Sequence, residues 1–359
     1  MRSVICSASG LRKNPVNTAE QLRAAAAERI LVKDGPYGTQ IQARGLKEAD
    51  YRGNLDLARD QKGNNDLLNL TRPDVVDSIA QAFADAGADI LATNSFNANR
   101  ISQADYGAEH LVREINVAAA RVIRDVADRA AQKDGRRRFV AGALGPTNKT
   151  LSLSPNVNDP GYREIDFDTL SDVYVEQIEG LVEGGAELVL IETVFDTLNA
   201  KAAVHAAHRV DRSLPIMLSM TITDLSGRNL SGHSIEAFWA SVRHAKPLTI
   251  GLNCSFGASQ LRAHVAALSA VADTLIMAYP NAGLPNDLGA YDEGPETTAA
   301  QVREWCEQGI VNIVGGCCGT TPDHIAAIGR IVRDYKPRTI ANPARRTLLA
   351  GIEPMILAA

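Results

Sequence analysis

The chain lacks the features that would take a protein to a membrane, to nucleic acid or to an oxidising compartment. It holds no apolar run that approaches the length of a membrane span, and the apolar stretch after Arg2 is too short for a secretory signal. The net charge of −5 leaves no basic excess for nucleic acid or an anionic lipid surface. Five cysteines in 359 residues make a poor disulfide framework. These absences predict a cytoplasmic protein whose cysteines bind metal.

A strand, a loop, an amphipathic helix and a glycine recur along the chain, with hydrophobic residues at 45% of positions. The strands are continuously apolar, as expected for parallel strands covered on both faces. Eight such units predict an α/β protein with a (β/α)8 barrel. An open doubly wound sheet is the alternative, but the fingerprint G-x-G-x-x-G is absent after the first strand. The predicted strands are Ile30–Asp34, Ile90–Asn94, Phe139–Leu144, Leu188–Glu192, Ile216–Thr221, Thr249–Cys254, Thr274–Tyr279 and Ile313–Cys317.

Three segments divide the chain. Residues 1–29 are predicted to be a loosely held polar leader and a helix, because Thr18-Ala-Glu-Gln21 has the spacing of a capping box. The barrel is expected to occupy residues 30–336. Residues 337–359 contain Pro337 and Pro343 and no clear strand, so we expect an irregular tail that packs on the barrel or begins a linker.

Two glycine-rich segments place three cysteines at strand ends. Gly251-Leu-Asn-Cys-Ser-Phe-Gly257 overlaps the end of the sixth predicted strand, and Gly315-Gly-Cys-Cys-Gly-Thr-Thr-Pro322 overlaps the end of the eighth. Cys254, Cys317 and Cys318 would form an incomplete tetrahedron around zinc, leaving the vacancy that a catalytic zinc needs. The glycines allow the strand to distort so that both adjacent cysteines reach one metal. Two alternatives stay open at this point, a phosphate-binding turn after the eighth strand and simple packing of buried cysteines.

Other polar residues end predicted strands. Asp34 ends the first strand, Asn94 the second and Glu192 the fourth. Each has an ordinary interpretation as a turn or helix-capping residue. Carboxylates from two strands that meet at the same end of a barrel would instead suit a buried α-ammonium group. The histidines fall mostly on predicted helices, which favours surface or packing roles.

Seven segments together resemble the homocysteine S-methyltransferase family, and within it the homocysteine-binding module of cobalamin-dependent methionine synthase. The resemblance runs from about Leu22 to about Pro354. Its segments are Asp34-Gly-Pro-Tyr-Gly-Thr39, Lys62-Gly-Asn-Asn-Asp66, Leu144-Gly-Pro-Thr-Asn148, Ile191-Glu-Thr-Val-Phe-Asp-Thr-Leu-Asn-Ala-Lys201, Gly251-Leu-Asn-Cys254, Pro280-Asn-Ala-Gly-Leu-Pro285 and Gly315-Gly-Cys-Cys-Gly-Thr320.

The resemblance implies a (β/α)8 barrel in which Cys254, Cys317 and Cys318 hold zinc and the homocysteine sulfur is the fourth ligand. It implies that Asp34 and Glu192 hold the homocysteine amino group, and we add Asn94 and Thr39 as expected substrate contacts. No protein side chain acts as nucleophile in this scheme, because the zinc-bound substrate thiolate takes the methyl group and becomes methionine.

The implied methyl donor is methylcobalamin on a corrinoid partner, with folate-binding modules in the same chain or in another. The chain ends where a link to a folate module would begin, so we expect an excised module or a separate subunit. A stand-alone methyltransferase that uses S-methylmethionine or a betaine is one alternative, and a binding module that is inactive without its partners is another.

Two positions depart from the family pattern. Pro36-Tyr37 stands where a small residue and Met are usual, and Ala92 stands where Glu is frequent. The first departure is expected to reshape the pocket rim, and the second removes a carboxylate that would share in ammonium binding.

Overall fold

The computed structural model describes residues 15–342 and 346–357, and within them ten strands form two sheets. Strands β1 to β8 make one parallel sheet in the order β1-β8-β7-β6-β5-β4-β3-β2. A parallel bridge between Lys33 and Ile90 joins β1 to β2 and closes the sheet into the predicted (β/α)8 barrel. The strands are β1 (Leu31–Val32), β2 (Ile90–Ala92), β3 (Phe139–Leu144), β4 (Leu188–Val194), β5 (Ile216–Met220), β6 (Thr249–Gly257), β7 (Leu275–Asn281), β8 (Ile313–Val314), β9 (Leu348–Ala350) and β10 (Pro354–Ile356).

Helices surround the barrel and cover the outer face of its strands, where a large apolar cluster is buried. The longest helix ends at Gly135, whose φ of 74° is the left-handed conformation that glycine adopts readily. In the described residues the helices are α1 (Pro15–Glu28), α2 (Tyr37–Gln42), α3 (Glu48–Arg52), α4 (Leu68–Thr71), α5 (Pro73–Asp85), α6 (Arg100–Ala104), α7 (Val112–Asp134), α8 (Phe167–Gly184), α9 (Thr197–Val210), α10 (Ile235–Val242), α11 (Ala258–Val271), α12 (Pro295–Glu307) and α13 (Pro322–Val332).

The inner face of the barrel is filled by a second apolar cluster, to which alternate strand residues contribute. Leu22 and Ala26 of α1 belong to this cluster and are fully buried. Helix α1 therefore closes the amino-terminal end of the barrel, which we call the base. The helix predicted after Thr18 is present and begins earlier, at Pro15. Most of the predicted polar leader, including Cys6, lies outside the described residues.

Strand β8 is shorter than predicted, and this changes where the cysteine pair lies. It ends at Val314, so Cys317 is in the following loop rather than on the strand. The loop passes close to its neighbours, because a Cβ at Gly315 would lie 2.9 Å from the Lys33 Cβ and one at Gly316 would lie 2.1 Å from Thr320 Oγ1. Glycine at both positions allows the turn that brings the pair to the carboxyl end of the barrel, which we call the mouth.

The expectation of a tail without a clear strand was wrong. Strands β9 and β10 pair antiparallel as a hairpin. The hairpin packs beside α10, where the Ser234 N–H donates to the Ile352 carbonyl at 2.9 Å. Arg228 also forms an ion pair with Glu353. The proposed segment boundaries at residues 29 and 336 stay predictions. Across the described residues, every helix is too short or too polar to span a bilayer.

Candidate metal and substrate site

A cavity of about 540 Å³ opens among the loops at the mouth. Its walls come from the segment between β1 and β2, the loop after β2, the carboxyl ends of β4 and β7, and the cysteine-bearing segments that end β6 and follow β8. Because the carboxyl ends of barrel strands carry the active sites of barrel enzymes, this cavity is the candidate site. Cys254, Cys317 and Cys318 line it together with Glu192 and Lys33.

The three cysteines predicted to bind metal lie together at one side of this cavity. Their Sγ atoms all lie within 4.8 Å of one another, and the Cys254 and Cys318 sulfurs are 3.9 Å apart. Two sulfurs on a tetrahedral zinc with Zn–S bonds near 2.3 Å are separated by about 3.8 Å. The donor set and its spacing therefore fit three corners of a zinc tetrahedron. Each cysteine is half-buried and lines the cavity, so a ligand in the cavity would have access to a metal ion held by the three sulfurs.

A strained backbone turns Cys254 toward the other two sulfurs. Cys254 and Ser255 have φ of 62° and 63°, in the left-handed region that side chains other than glycine rarely adopt. The pairing of β6 with β7 shifts register between Asn253 and Gly257, as at a β-bulge, and such bulges re-aim side chains near functional sites. Thr193, on β4, has φ of 59°. The sequence predicted distortion at the cysteine pair but missed the distortion at Cys254.

Asn253 ties the strained segments to the sulfurs. Its Oδ1 accepts hydrogen bonds from the Thr193 N–H at 3.0 Å and from the Ser219 hydroxyl at 2.7 Å. Its Nδ2 donates to Thr193 Oγ1 at 2.8 Å and lies 3.8 Å from Cys317 Sγ. Sequence reasoning did not single out Asn253, although it lies within the Gly251–Cys254 motif. The amide orients β4 against β6 and favours a negative charge on Cys317.

The protonation of the three thiols explains why a cation suits them. Hydrogen bonds from Cys317 and Cys318 lower the pKa of the Cys254 thiol, and the same contacts raise the pKa of Cys317 well above its ordinary value. One thiolate therefore forms readily, whereas two more at this distance repel it. A divalent metal ion removes this repulsion and allows all three sulfurs to ionise.

The two carboxylates predicted to bind an ammonium group occupy different positions. Glu192 lines the cavity and accepts a hydrogen bond from the Tyr279 hydroxyl at 2.9 Å. Burial raises the pKa of Glu192, although Lys33 and the Tyr279 hydrogen bond act in the opposite direction. Asp34 is fully buried and is not among the residues that line the cavity. Its Oδ1 accepts from Lys33 Nζ at 2.9 Å and its Oδ2 from the Ala92 N–H at 2.7 Å.

The two further expected contacts, Asn94 and Thr39, both line the cavity. The Asn94 side chain donates to the Asn65 carbonyl at 2.8 Å and so holds a loop of the wall. Thr39 Oγ1 is buried and has no hydrogen-bond partner in the described part of the chain, and the same holds for the neighbouring Tyr37 hydroxyl. Buried hydroxyls without partners are costly unless a ligand satisfies them.

Lys33 is a site residue that sequence reasoning missed. Its ammonium lies over the Tyr279 ring, 4.7 Å from the centroid, and its side chain lines the cavity. The available signal was a lysine inside the otherwise apolar run Ile30-Leu-Val-Lys-Asp34. Because a barrel strand that is covered on both faces rarely carries a charge, a lysine in such a run indicates a buried ion pair or a ligand.

Fold and site define a class, a (β/α)8 barrel with a three-cysteine candidate metal centre at its mouth. The family model for homocysteine S-methyltransferase matches residues 31–332, and the chain belongs to that family. Among solved structures it is similar to the Escherichia coli homocysteine methyltransferase MmuM. The oxidised form is 19% identical with a TM-score of 0.69, covering 89% of this chain and 99% of that one. The metallated form is 20% identical with a TM-score of 0.68, covering 88% and 99%. At these identities the likeness shows a shared fold.

Proposed function

We propose that this protein is a zinc-dependent methyltransferase that transfers a methyl group to the thiol of homocysteine and so forms methionine. The observation that carries the proposal is the convergence of three cysteine sulfurs within 4.8 Å at the wall of the mouth cavity. Membership of the homocysteine S-methyltransferase family supports the substrate. The metallated form of the similar MmuM structure supports a metal in this fold.

Cys254, Cys317 and Cys318 would hold the zinc ion. Zinc supplies one piece of chemistry, which is to lower the pKa of the substrate thiol so that it is present as the nucleophilic thiolate. Three cysteine thiolates make the centre net negative, which keeps the substrate sulfur electron-rich. Asn253 stabilises the charge on Cys317 and holds the strained segment in place.

The side chains of the cavity bind and orient the substrate. Glu192 is placed to pair with its ammonium group, because it is a carboxylate at the cavity wall and Tyr279 fixes its orientation. The reaction then needs no protein nucleophile. The substrate sulfur forms a bond to the methyl carbon while the bond between that carbon and its donor breaks. The electron pair of the broken bond leaves with the donor.

The proposed donor is methylcobalamin carried by a corrinoid partner domain or protein. The resemblance to the methionine synthase module supports it, and so does the surface around the mouth. Loops 145–166, 221–234 and 282–294 follow β3, β5 and β7, and each exposes large apolar side chains of the kind found at protein contacts. These exposed side chains include Leu153, Val157, Leu225, Leu230, Leu284 and Leu288.

A stand-alone enzyme with a small donor is the second candidate. Its support is the size of the cavity, because about 540 Å³ is more than a four-carbon amino acid needs and leaves room for a molecule such as S-methylmethionine or a betaine. The third candidate, a module that binds homocysteine and is inert alone, shares the metal and substrate sites with the first.

Methionine formation from homocysteine by zinc-loaded protein separates these candidates. Methylcobalamin, S-methylmethionine and betaine are offered one at a time, and then with a methylated corrinoid protein. Turnover with methylcobalamin, or only after the corrinoid protein is added, supports the cobalamin proposal. Turnover with S-methylmethionine or betaine replaces it with the stand-alone enzyme. If no methionine forms with any donor although homocysteine still binds, the third candidate, an inert binding module, is supported.

A further inference from the structure

The mouth cavity has one cationic side chain in its described wall, that of Lys33. The same wall carries Glu192, Asp66 and the three cysteines, all of which are neutral or negative. An α-amino acid that enters this cavity brings a carboxylate as well as an ammonium group. The ammonium is attracted by Glu192, but the carboxylate is repelled by every ionised group of the wall except Lys33.

Lys33 is held in a fixed position and keeps its charge. The residue is 3% exposed, its Nζ donates to Asp34 Oδ1, and the Tyr279 ring lies on another side of the ammonium. Asp34 is itself fixed, because its second oxygen accepts the Ala92 N–H. Burial lowers the pKa of Lys33, but attraction to Asp34 and Glu192 outweighs this effect and raises the pKa above its ordinary value.

The Lys33 ammonium has donor capacity to spare. It carries three N–H donors, and within the described residues only Asp34 accepts a hydrogen bond from it. Two hydroxyls in the same cavity wall are also uncommitted. Tyr37, 8% exposed, and Thr39 both bury a hydroxyl that has no partner among the described residues. An ammonium and hydroxyl donors are the groups that bind a carboxylate.

We propose that Lys33, with the Tyr37 hydroxyl of the same cavity wall, binds the α-carboxylate of the substrate while Glu192 binds its ammonium group. This inference rests on the proposed function and deepens it. Asp34 then acts behind Lys33 as its counter-ion rather than as a direct substrate contact. The substrate class becomes a zwitterionic α-amino acid thiol, and the cavity selects against aminothiols that lack the carboxylate.

Calorimetric titration of zinc-loaded protein with two thiols tests this assignment without any methyl donor. The thiols are homocysteine and 3-aminopropane-1-thiol, which has the same thiol and amine but no carboxylate. Lys33→Met is expected to weaken homocysteine binding by about 10- to 100-fold, the effect of losing a charged hydrogen bond, and to leave the aminothiol affinity unchanged or higher. Tyr37→Phe, which removes only a hydroxyl, is expected to weaken homocysteine selectively by about 3- to 10-fold. The exposed Lys133→Met is the matched control and should bind both thiols as wild type does.

Two results overturn the inference in different ways. If Lys33→Met changes the affinity for both thiols by the same factor, Lys33 is only an internal counter-ion, and the substrate proposal survives without it. If wild-type protein binds no homocysteine, the proposed function fails and the inference falls with it. Should Lys33→Met fail to unfold cooperatively, Tyr37→Phe decides alone. A Tyr37→Phe variant that binds homocysteine more weakly than wild type but binds the aminothiol equally well then supports the assignment. A Tyr37→Phe variant whose affinities for both thiols equal those of wild type refutes it.

Discussion

The base and the mouth of the barrel are built on opposite physical principles. At the base, Asp89 is buried and accepts two hydrogen bonds from Arg29 at 2.7 and 2.8 Å and one from the Val32 N–H at 2.9 Å. At the mouth, three of the four non-glycine residues with positive φ in the described chain lie around the cavity, beside clustered thiols and unpartnered hydroxyls. The buried charge of Asp89 at the base is therefore paired within the protein, whereas the mouth carries backbone strain and unpartnered hydroxyls that a ligand would satisfy.

Substitution of a cysteine at the mouth should have the largest effect on function and a small one on folding. Cys317→Ala removes one of three metal ligands, so we expect zinc retention to be lost and methyl transfer to fall by about 1000-fold or more. Elemental analysis and turnover measure both quantities. Cys306→Ala is the matched control, because Cys306 is buried in α12 and its pKa is raised to about 12 by that burial. A Cys317→Ala variant with stoichiometric zinc would refute the ligand assignment.

Substitution at the base should instead have a large effect on folding stability and little effect on metal and thiol binding. Asp89→Ala leaves the Arg29 guanidinium and the Val32 N–H without their acceptor, so we expect a loss of about 2 to 4 kcal/mol in the free energy of unfolding. Zinc content and thiol binding should be unchanged in the folded variant. Urea unfolding and elemental analysis of the same sample provide the comparison. Loss of zinc in a fully folded Asp89→Ala protein would show that base and mouth are coupled.

Asp66 at the mouth tests how much free energy of unfolding the protein loses when a buried carboxyl of the cavity wall ionises. Burial raises the pKa of this carboxyl to about 7, and its Oδ1 accepts the Asn97 N–H at 2.9 Å, a bond that asparagine can keep. Because the pKa of Asp66 is higher in the folded than in the unfolded protein, folding is favoured fully below about pH 4, where the carboxyl is protonated in both states. This contribution to the free energy of unfolding is lost as the pH rises toward and through 7. Asp66→Asn should therefore match wild type near pH 4 and be more stable by about 4 kcal/mol at pH 8.

Urea unfolding at pH 4, 6 and 8 measures this difference, with the exposed Asp287→Asn as control. A stability difference that does not grow with pH would mean that Asp66 ionises without penalty in the folded protein.

The smallest expected effect concerns the amide that supports the sulfurs. Asn253→Ala removes the hydrogen bonds to Thr193 and Ser219 and the contact with Cys317 Sγ, but leaves all three ligands in place. Loss of such a supporting group typically weakens metal affinity by about 10-fold or more. Competition with a zinc-binding chromophore measures the affinity directly. Unchanged zinc affinity would reduce Asn253 to a purely structural link between β4 and β6.

The sequence predicted the base and the barrel better than the mouth, for a physical reason. Strand β3 matches its predicted bounds of Phe139–Leu144, because six consecutive buried residues leave little choice of structure. The positive φ of Cys254 and the early end of β8 depend on contacts with distant segments, which a local pattern does not contain. The three cysteines proposed as metal ligands were recognisable from residue type and spacing. The position of Asp34 behind Lys33 was not, because it depends on how β1 closes against β2.

X-ray absorption at the zinc edge, recorded on purified protein with and without homocysteine, tests directly whether three cysteines hold a zinc ion to which homocysteine binds. We expect one zinc per chain with three sulfur neighbours near 2.3 Å, rising to four sulfurs when homocysteine is added. Protein without zinc, or a zinc shell that homocysteine leaves unchanged, would contradict it.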